Sequence, residues 1–298
     1  MMKIVSIGDL VEPGTYHFLN GFRRVVNVTD GRRAVMLALP GADRGPLNVV
    51  IDGLVPDSVD RVVIEPGAVT VDGERLEFAK NRMFDSSLPA LMRGTRDFRR
   101  NLADFGSLLL DLSPRESLTY LLDRDRMAGI PAGRERERAE HTLNCVRDMM
   151  LWNRRRGISR LSGCGIGLTP SGDDFIVGFL LGLGALQRMG FRDWTAEQGR
   201  VLEWTGLRDV LSASLLSCAA RGHTFESMRE LIVALDLGSG ESVRIWTERL
   251  LQVGATSGAD TGVGFFITVR EGLAGRLKGC SQTVSAGNAV SESQGSWS

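Results

Sequence analysis

Two stretches of the chain carry the residue types that binding chemistry needs. The first is Gly163-Cys164-Gly165-Ile166-Gly167-Leu168-Thr169-Pro170-Ser171-Gly172-Asp173-Asp174, followed by an apolar run from Phe175. Glycines at every second position allow backbone angles and close approach that a side chain forbids. Thr169, Ser171 and the amides of a following helix turn would present donors at the positive end of a helix dipole, a seat for a phosphate or carboxylate. No Lys-Ser/Thr follows the last glycine, as a P-loop requires, and the dinucleotide glycine spacing fails, so neither nucleotide motif applies. Asp173 and Asp174 beside an anion call for an intermediary. A divalent ion such as magnesium, a protonated substrate group or a substrate NH2 would each serve, and the residues do not choose.

The second stretch is an echo of the first. Ser171-Gly172-x-Asp174-x-x-Val177-Gly178-Phe179 matches Ser257-Gly258-x-Asp260-x-x-Val263-Gly264-Phe265 position for position. Two such helix starts facing each other would build one polar pocket between them. The plainer reading is a pair of capping boxes, Ser-x-x-Asp, with Gly178 and Gly182 easing helix packing. Capping accounts for Ser171, Asp174, Ser257 and Asp260. It does not account for Gly163, Gly165, Gly167 or Asp173.

These loops need elements to hold them. Residues 1–86 read as a β-rich domain, a small sandwich or barrel. Short Val/Ile/Leu runs at Arg24–Val28, Ala34–Leu39, Leu47–Ile51, Arg61–Ile64 and Ala68–Val71 are separated by turn residues, and Asp72-Gly73 marks a two-residue hairpin turn. Residues 87–278 read as a mainly helical domain carrying both Ser-Gly-x-Asp motifs. Its expected helices cover 88–111, 117–122, 133–156, 204–221, 224–235, 241–252 and 260–274, with Ser113 as an N-cap before Pro114. The fold class is therefore α+β. Residues 279–298, rich in Ser, Gly, Asn and Gln, are expected to be a disordered tail.

Composition narrows the classes of function. The 298 residues hold 36 Lys plus Arg and 36 Asp plus Glu, so no basic excess suggests nucleic acid. The four cysteines form no C-x-x-C pair, and the three histidines have no zinc-ligand spacing. Residues 1–14 lack the pattern of a signal peptide. The apolar stretch Phe175–Met189 is shorter than the roughly 20 residues that span a bilayer, so a cytoplasmic protein without a membrane contact is the expectation. Cys164 reads as a small loop residue and His223 as a cation at a helix end. Trp152, Trp194, Trp204 and Trp246 read as core or as subunit contacts, a homo-oligomer included.

The run Gly165-Ile-Gly-Leu-Thr-Pro-Ser-Gly-Asp-Asp-Phe175 and the Gly-rich apolar helix after it resemble the signature of the AllH-type proteins. Arg44-Gly45-Pro46-Leu47-Asn48, the segment Ser212–Gly222 and the second Ser-Gly-x-Asp motif extend the resemblance. The chain departs from that pattern at Cys164 and Ile166, and at Ala255 and Gly262 in the last motif. The resemblance implies a subunit of an oxamate carbamoyltransferase of purine and allantoin catabolism, working with other carbamoyltransferase subunits. It implies that Gly165, Gly167, Thr169, Ser171 and Gly172 bind a small anion: carbamoyl phosphate, oxamate or oxalurate. Ser257 and Asp260 would contribute from the second motif, Asp173 and Asp174 would act on the carbamoyl NH2 or hold a metal, and Asn48 and Arg44 would form a second wall. Two other functions stay open: a non-catalytic subunit sensing a carboxylate or nucleotide, and a stand-alone metal-assisted enzyme.

Overall fold

The computed structural model describes residues 2–22, 24–55, 59–92, 94–206 and 209–277; the expected disordered tail lies outside them. The first part is one nine-stranded sheet curled into a half-barrel, in the order β8-β7-β6-β2-β3-β4-β5-β1-β9. The strands are β1 (Lys3–Gly8), β2 (Gly14–Gly21), β3 (Val25–Thr29), β4 (Ala34–Ala38), β5 (Asn48–Asp52), β6 (Arg61–Glu65), β7 (Ala68–Val71), β8 (Glu74–Glu77) and β9 (Met83–Phe84). Among the described residues only β4–β5 and β1–β9 pair in parallel. The buried face gathers Tyr16, Val26, Val28, Leu37, Val49, Ile51, Val62 and Val69 into one cluster. The β7–β8 turn has φ 46° at Asp72 and 91° at Gly73, the two positive angles that a twist-matched two-residue hairpin demands.

β1 and β2 were not foreseen from the sequence. β2 holds a single fully buried side chain, Tyr16, among glycine, histidine and asparagine. Its place comes from main-chain pairing to β3 and β6, which leaves no period-two hydrophobic pattern to read.

Ten α-helices follow among the described residues: α1 (Arg96–Leu112), α2 (Arg124–Ala128), α3 (Arg134–Arg147), α4 (Arg154–Leu161), α5 (Ser171–Arg188), α6 (Thr195–Thr205), α7 (Val210–Ala220), α8 (Glu226–Leu237), α9 (Gly240–Leu250) and α10 (Ser257–Leu273). Several boundaries differ from expectation. The single helix expected over 133–156 is α3 and the start of α4, joined by a π-turn at Asp148–Trp152. The helix expected to begin at 204 is the end of α6 plus α7. Ser113 closes α1 as its C-cap instead of opening a new helix, and only a short 3-10 turn, Leu118–Leu121, comes next. The first turn of α1 is fixed by Thr95, whose hydroxyl accepts from Phe98 N at 3.1 Å.

α5 is the axis of the helical part. Every residue from Gly172 to Leu186 is buried, so the helix is apolar on all sides and surrounded by others. α10 lies along it at backbone contact: a Cβ at Gly178 would fall 2.0 Å from Thr261 O, and one at Gly264 would fall 2.2 Å from Phe175 O. No helix among the described residues is long and apolar enough to cross a membrane.

The sheet and the helices meet along a polar seam. Ser227 donates to Asp43 through its N–H and hydroxyl, Arg44 pairs with Glu226, and Ala34 N donates to Ser214 Oγ at 3.0 Å. Leu88 N donates to Gly222 O and Thr224 N to Ser86 O. The Ser86 hydroxyl lies 2.5 Å from Asp9 Oδ1 and 2.9 Å from His223 Nδ1.

Candidate functional site

The glycine stretch connects α4 to α5. Its base is closed by two main-chain bonds, Cys164 N to Leu161 O at 3.0 Å and Gly172 N to Cys164 O at 2.8 Å. Gly163, Gly165, Ile166 and Gly167 above that base are exposed, Ile166 by 80%. The N–H groups of Gly165, Ile166, Gly167, Leu168, Thr169 and Ser171 have no acceptor among the described residues. Gly165 has φ +129°, and a Cβ there would stand 2.5 Å from Ser171 N. Gly167 has φ +113° with open space around it, so only backbone conformation selects glycine there.

Asp173 and Asp174 both point inward. Asp173 is 2% exposed; its Oδ1 accepts from Gly163 N at 2.8 Å and from Ser162 Oγ at 3.1 Å, so it latches the loop to the first turn of α5. Burial raises its pKa, against the lowering by the Gly163 amide and the nearby Ser212 and Ser162 hydroxyls. Its Oδ2 and Ser212 Oγ are both buried without a well-aligned bond. Asp174 is 5% exposed, and its Oδ2 accepts from Thr169 Oγ1 at 3.2 Å. Burial holds its carboxyl well above the usual range although the Ser257 hydroxyl lowers it.

The second motif meets the first at this point. Thr169 Oγ1 lies 3.0 Å from Ser257 Oγ. Asp260, fully buried at the start of α10, accepts from Leu118 N at 2.7 Å, and the Ser171 and Thr256 hydroxyls also act on it. Burial nevertheless pushes its pKa up to about 6. The contacts cross: the acid of α5 meets the serine of α10, and the acid of α10 meets the serine of α5. This replaces the capping boxes expected within each helix. Pro170 and Thr256 occupy the N-cap positions, neither with a side-chain cap bond, and the serines stand one residue later. Thr169, Ser171, Ser257, Asp174 and Asp260 thus come together where two helix starts touch.

Other candidates lie elsewhere. Arg44 pairs with Glu226 and stacks over Phe84 at 4.9 Å, while Asn48 Nδ2 donates to Asp43 O at 2.8 Å. Among the described residues, neither makes a hydrogen bond to the glycine loop. Cys164 Sγ donates to Arg160 O at 2.9 Å, and burial raises the pKa of its thiol, which disfavours the thiolate. His223 belongs to the sheet–helix seam instead of merely ending a helix. Trp194 is core, whereas Trp152 is 81% exposed. Among the described residues no group of three or more His, Cys, Asp or Glu side chains is disposed to hold a metal. Sequence reasoning missed the Leu118 amide, which reaches Asp260 from a distant segment, and it noted Ser212 only within the Ser212–Gly222 resemblance, without linking it to Asp173.

Comparison with known proteins gives one finding. Residues 161–269 match the model of a family described as oxamate carbamoyltransferase subunit AllH. The matched span begins at Leu161, whose carbonyl closes the loop base, and ends within α10. No curated protein and no solved structure matches the chain significantly.

Proposed function

With residues 161–269 matching the AllH subunit family, we propose that this chain is a subunit of an oxamate carbamoyltransferase-like enzyme of purine and allantoin catabolism, and that it binds a small anionic reactant at the loop from Gly163 to Asp174. The observation that carries the reading is the set of main-chain N–H groups, Gly165 to Thr169 and Ser171, that have no acceptor among the described residues at the start of a long buried helix, with Gly165, Ile166 and Gly167 exposed. Such donors suit carbamoyl phosphate or oxamate.

In the transfer, the oxamate nitrogen bonds to the carbamoyl carbon and loses a proton, the carbamoyl C–O bond to phosphate breaks, and oxalurate and the phosphate that takes up that proton result. Preorganised N–H donors stabilise negative charge on the departing phosphate and on the carbonyl oxygen as it develops. In this reading the side chains mainly hold the backbone donors in place. Ser171 and Ser257 hydroxyls act on buried carboxylates, so recognition falls mainly to the backbone. Asp173 and Asp174 are positioning residues in this reading: both are buried, and they accept from Gly163 N, the Ser162 hydroxyl and the Thr169 hydroxyl of the loop.

The non-catalytic variant of this reading draws support from the same geometry. Both acids beside the loop are buried, and the Cys164 thiol is held by Arg160 O, so reacting groups would come from partner subunits. Titration calorimetry with carbamoyl phosphate, phosphate and oxamate, with and without magnesium, tests the proposal. Binding by wild type, lost in a folded Gly165→Val variant, is expected. Absence of binding to all three, in the isolated chain and in the assembled enzyme, refutes it.

A further inference from the structure

Trp152 is 81% exposed, and Leu151 beside it is 43% exposed. Both stand on the π-turn Asp148–Trp152, whose other side buries Met149 and Met150. The chain then locks. Asn153 caps α4, its Oδ1 accepting from Arg156 N at 3.0 Å. Arg154 is buried, pairs with Glu197 and stacks over Phe179 of α5 at 5.5 Å. Gly157 brings α4 to backbone contact with the turn: a Cβ there would fall 2.3 Å from Met149 N. Leu151 and Trp152 are therefore held in water on a rigid mount. Arg147 and Arg155 flank them and make no ion pair among the described residues, since Asp148 is shared by Arg156 and Arg160. A tryptophan and an aliphatic side chain between arginines is the composition found at the centre of protein contacts.

The same face runs back along α3. Arg147, Asn144, Glu140 and Glu137 follow at helical spacing, and all four are exposed. Glu137 and Glu140 make no ion pair among the described residues. Just before α3, Pro131 and Ala132 are exposed. Arg136 fixes their segment by donating to Ala128 O at 2.7 Å and to Ile130 O at 2.9 Å. Along the chain the face thus runs apolar, acidic, basic, apolar. Turned end for end, it is its own complement: base lies over acid and apolar over apolar. Acids at the start of α3 and an arginine at its end also suit the dipole of the helix itself. The dipole accounts for neither Leu151 and Trp152 nor the apolar residues before Gly133.

We infer that this face is the contact surface between two copies of the chain, with α3 packed antiparallel on α3 of the second copy about a two-fold axis that passes between Glu140 and Asn144. Glu137 of each copy meets Arg147 of the other, and Leu151 and Trp152 cover Pro131 and Ala132. A two-fold contact makes each of these pairings twice. The 14 residues of α3 and the five of the π-turn form a rod roughly 28 Å long. A contact of that length lies at the small end of specific interfaces and sets a dissociation constant on the order of 10 µM. None of these residues belongs to the loop Gly163–Asp174, so the inference stands apart from the anion-binding reading.

Sedimentation velocity of the full chain from about 1 to 100 µM tests it. Wild type should pass from monomer to dimer across that range. Trp152→Ser should weaken association by about tenfold or more. Arg147→Glu and Glu137→Arg, each alone, bring like charges together at both junctions and should weaken it by about tenfold. Mixed in equal amounts, these two variants should associate as wild type does, because both junctions of the mixed pair again join a glutamate to an arginine. All three positions are exposed, so circular dichroism and thermal midpoint should not change. Leu151→Ser, with Trp152→Ser, carries the test if a charge variant fails to fold, and it too should weaken association. Wild type that stays monomeric to about 100 µM overturns the inference, whether or not another protein binds this face. So does a dimer indifferent to Trp152→Ser and Leu151→Ser, or a mixture of the two charge variants that associates no better than either alone.

Discussion

Replacement of Asp260 by asparagine should change how stability depends on pH, in a direction and by an amount that the structure sets. Asp260 is fully buried, and its carboxyl titrates at about 6 in the folded chain. Bonds from Leu118 N and from the Ser171 and Thr256 hydroxyls favour the carboxylate, but desolvation outweighs them. The unfolded chain releases this proton near the ordinary aspartate value of about 3.9. Between those two values the folded form holds a proton that the unfolded form has lost, so stability falls as pH rises through the interval. Roughly two pKa units at about 1.4 kcal/mol each give close to 3 kcal/mol, complete once pH exceeds the folded value. Asparagine keeps an oxygen for the Leu118 amide and cannot ionise. Urea denaturation of both proteins at intervals from pH 4 to pH 8 measures the difference. The variant should gain on wild type by about 2–3 kcal/mol across the interval, the same other groups cancelling in the comparison. A difference that stays flat, or that shrinks with rising pH, would show that Asp260 is ionised at little cost and that its surroundings are not desolvated.

Asp173→Ala should remove the acceptor of Gly163 N and Ser162 Oγ. Because Gly163 is exposed and can rehydrate, the expected loss is about 1–3 kcal/mol, with faster amide exchange at Gly163 and little change along α10. Exchange unchanged at Gly163 would mean that the latch does not hold the loop. Gly264→Ala places a carbon 2.2 Å from Phe175 O and should cost about 3 kcal/mol or prevent folding, whereas Gly199→Ala, with nothing within 4 Å, should be neutral or stabilising. Equal thermal midpoints for the two variants would contradict backbone contact between α5 and α10. His223 should titrate below 6.5 in an NMR experiment, because burial lowers its pKa and Arg221 and Arg188 add to that, while Asp9 and Asp85 oppose it. Asp9→Asn should push the midpoint lower still; a rise would remove Asp9 from the list of groups that favour the imidazolium.

The Asp72-Gly73 hairpin, the apolar core helix from Phe175 and the glycine loop with its echo could be read from residue order, because each rests on local rules: turn angles, periodicity and a repeated motif. β2 could not, because its strand identity comes from neighbours on both sides and not from its own side chains. Neither could the break at Asp148–Trp152, where one amphipathic pattern runs through two helices. Within the site, sequence supplied the residue types and the pairing of the two motifs. Tertiary structure decided what each group does. A serine three residues before an aspartate is a local cap by pattern; here each aspartate instead meets the serine of the other helix, since α5 and α10 pack through glycine close enough for their starts to touch. Likewise residue order put Asp173 and Asp174 beside a bound anion without showing their burial, and in the fold both are buried. Burial is a property of what surrounds a residue, and distant segments such as Leu118 and Ser212 supply those surroundings.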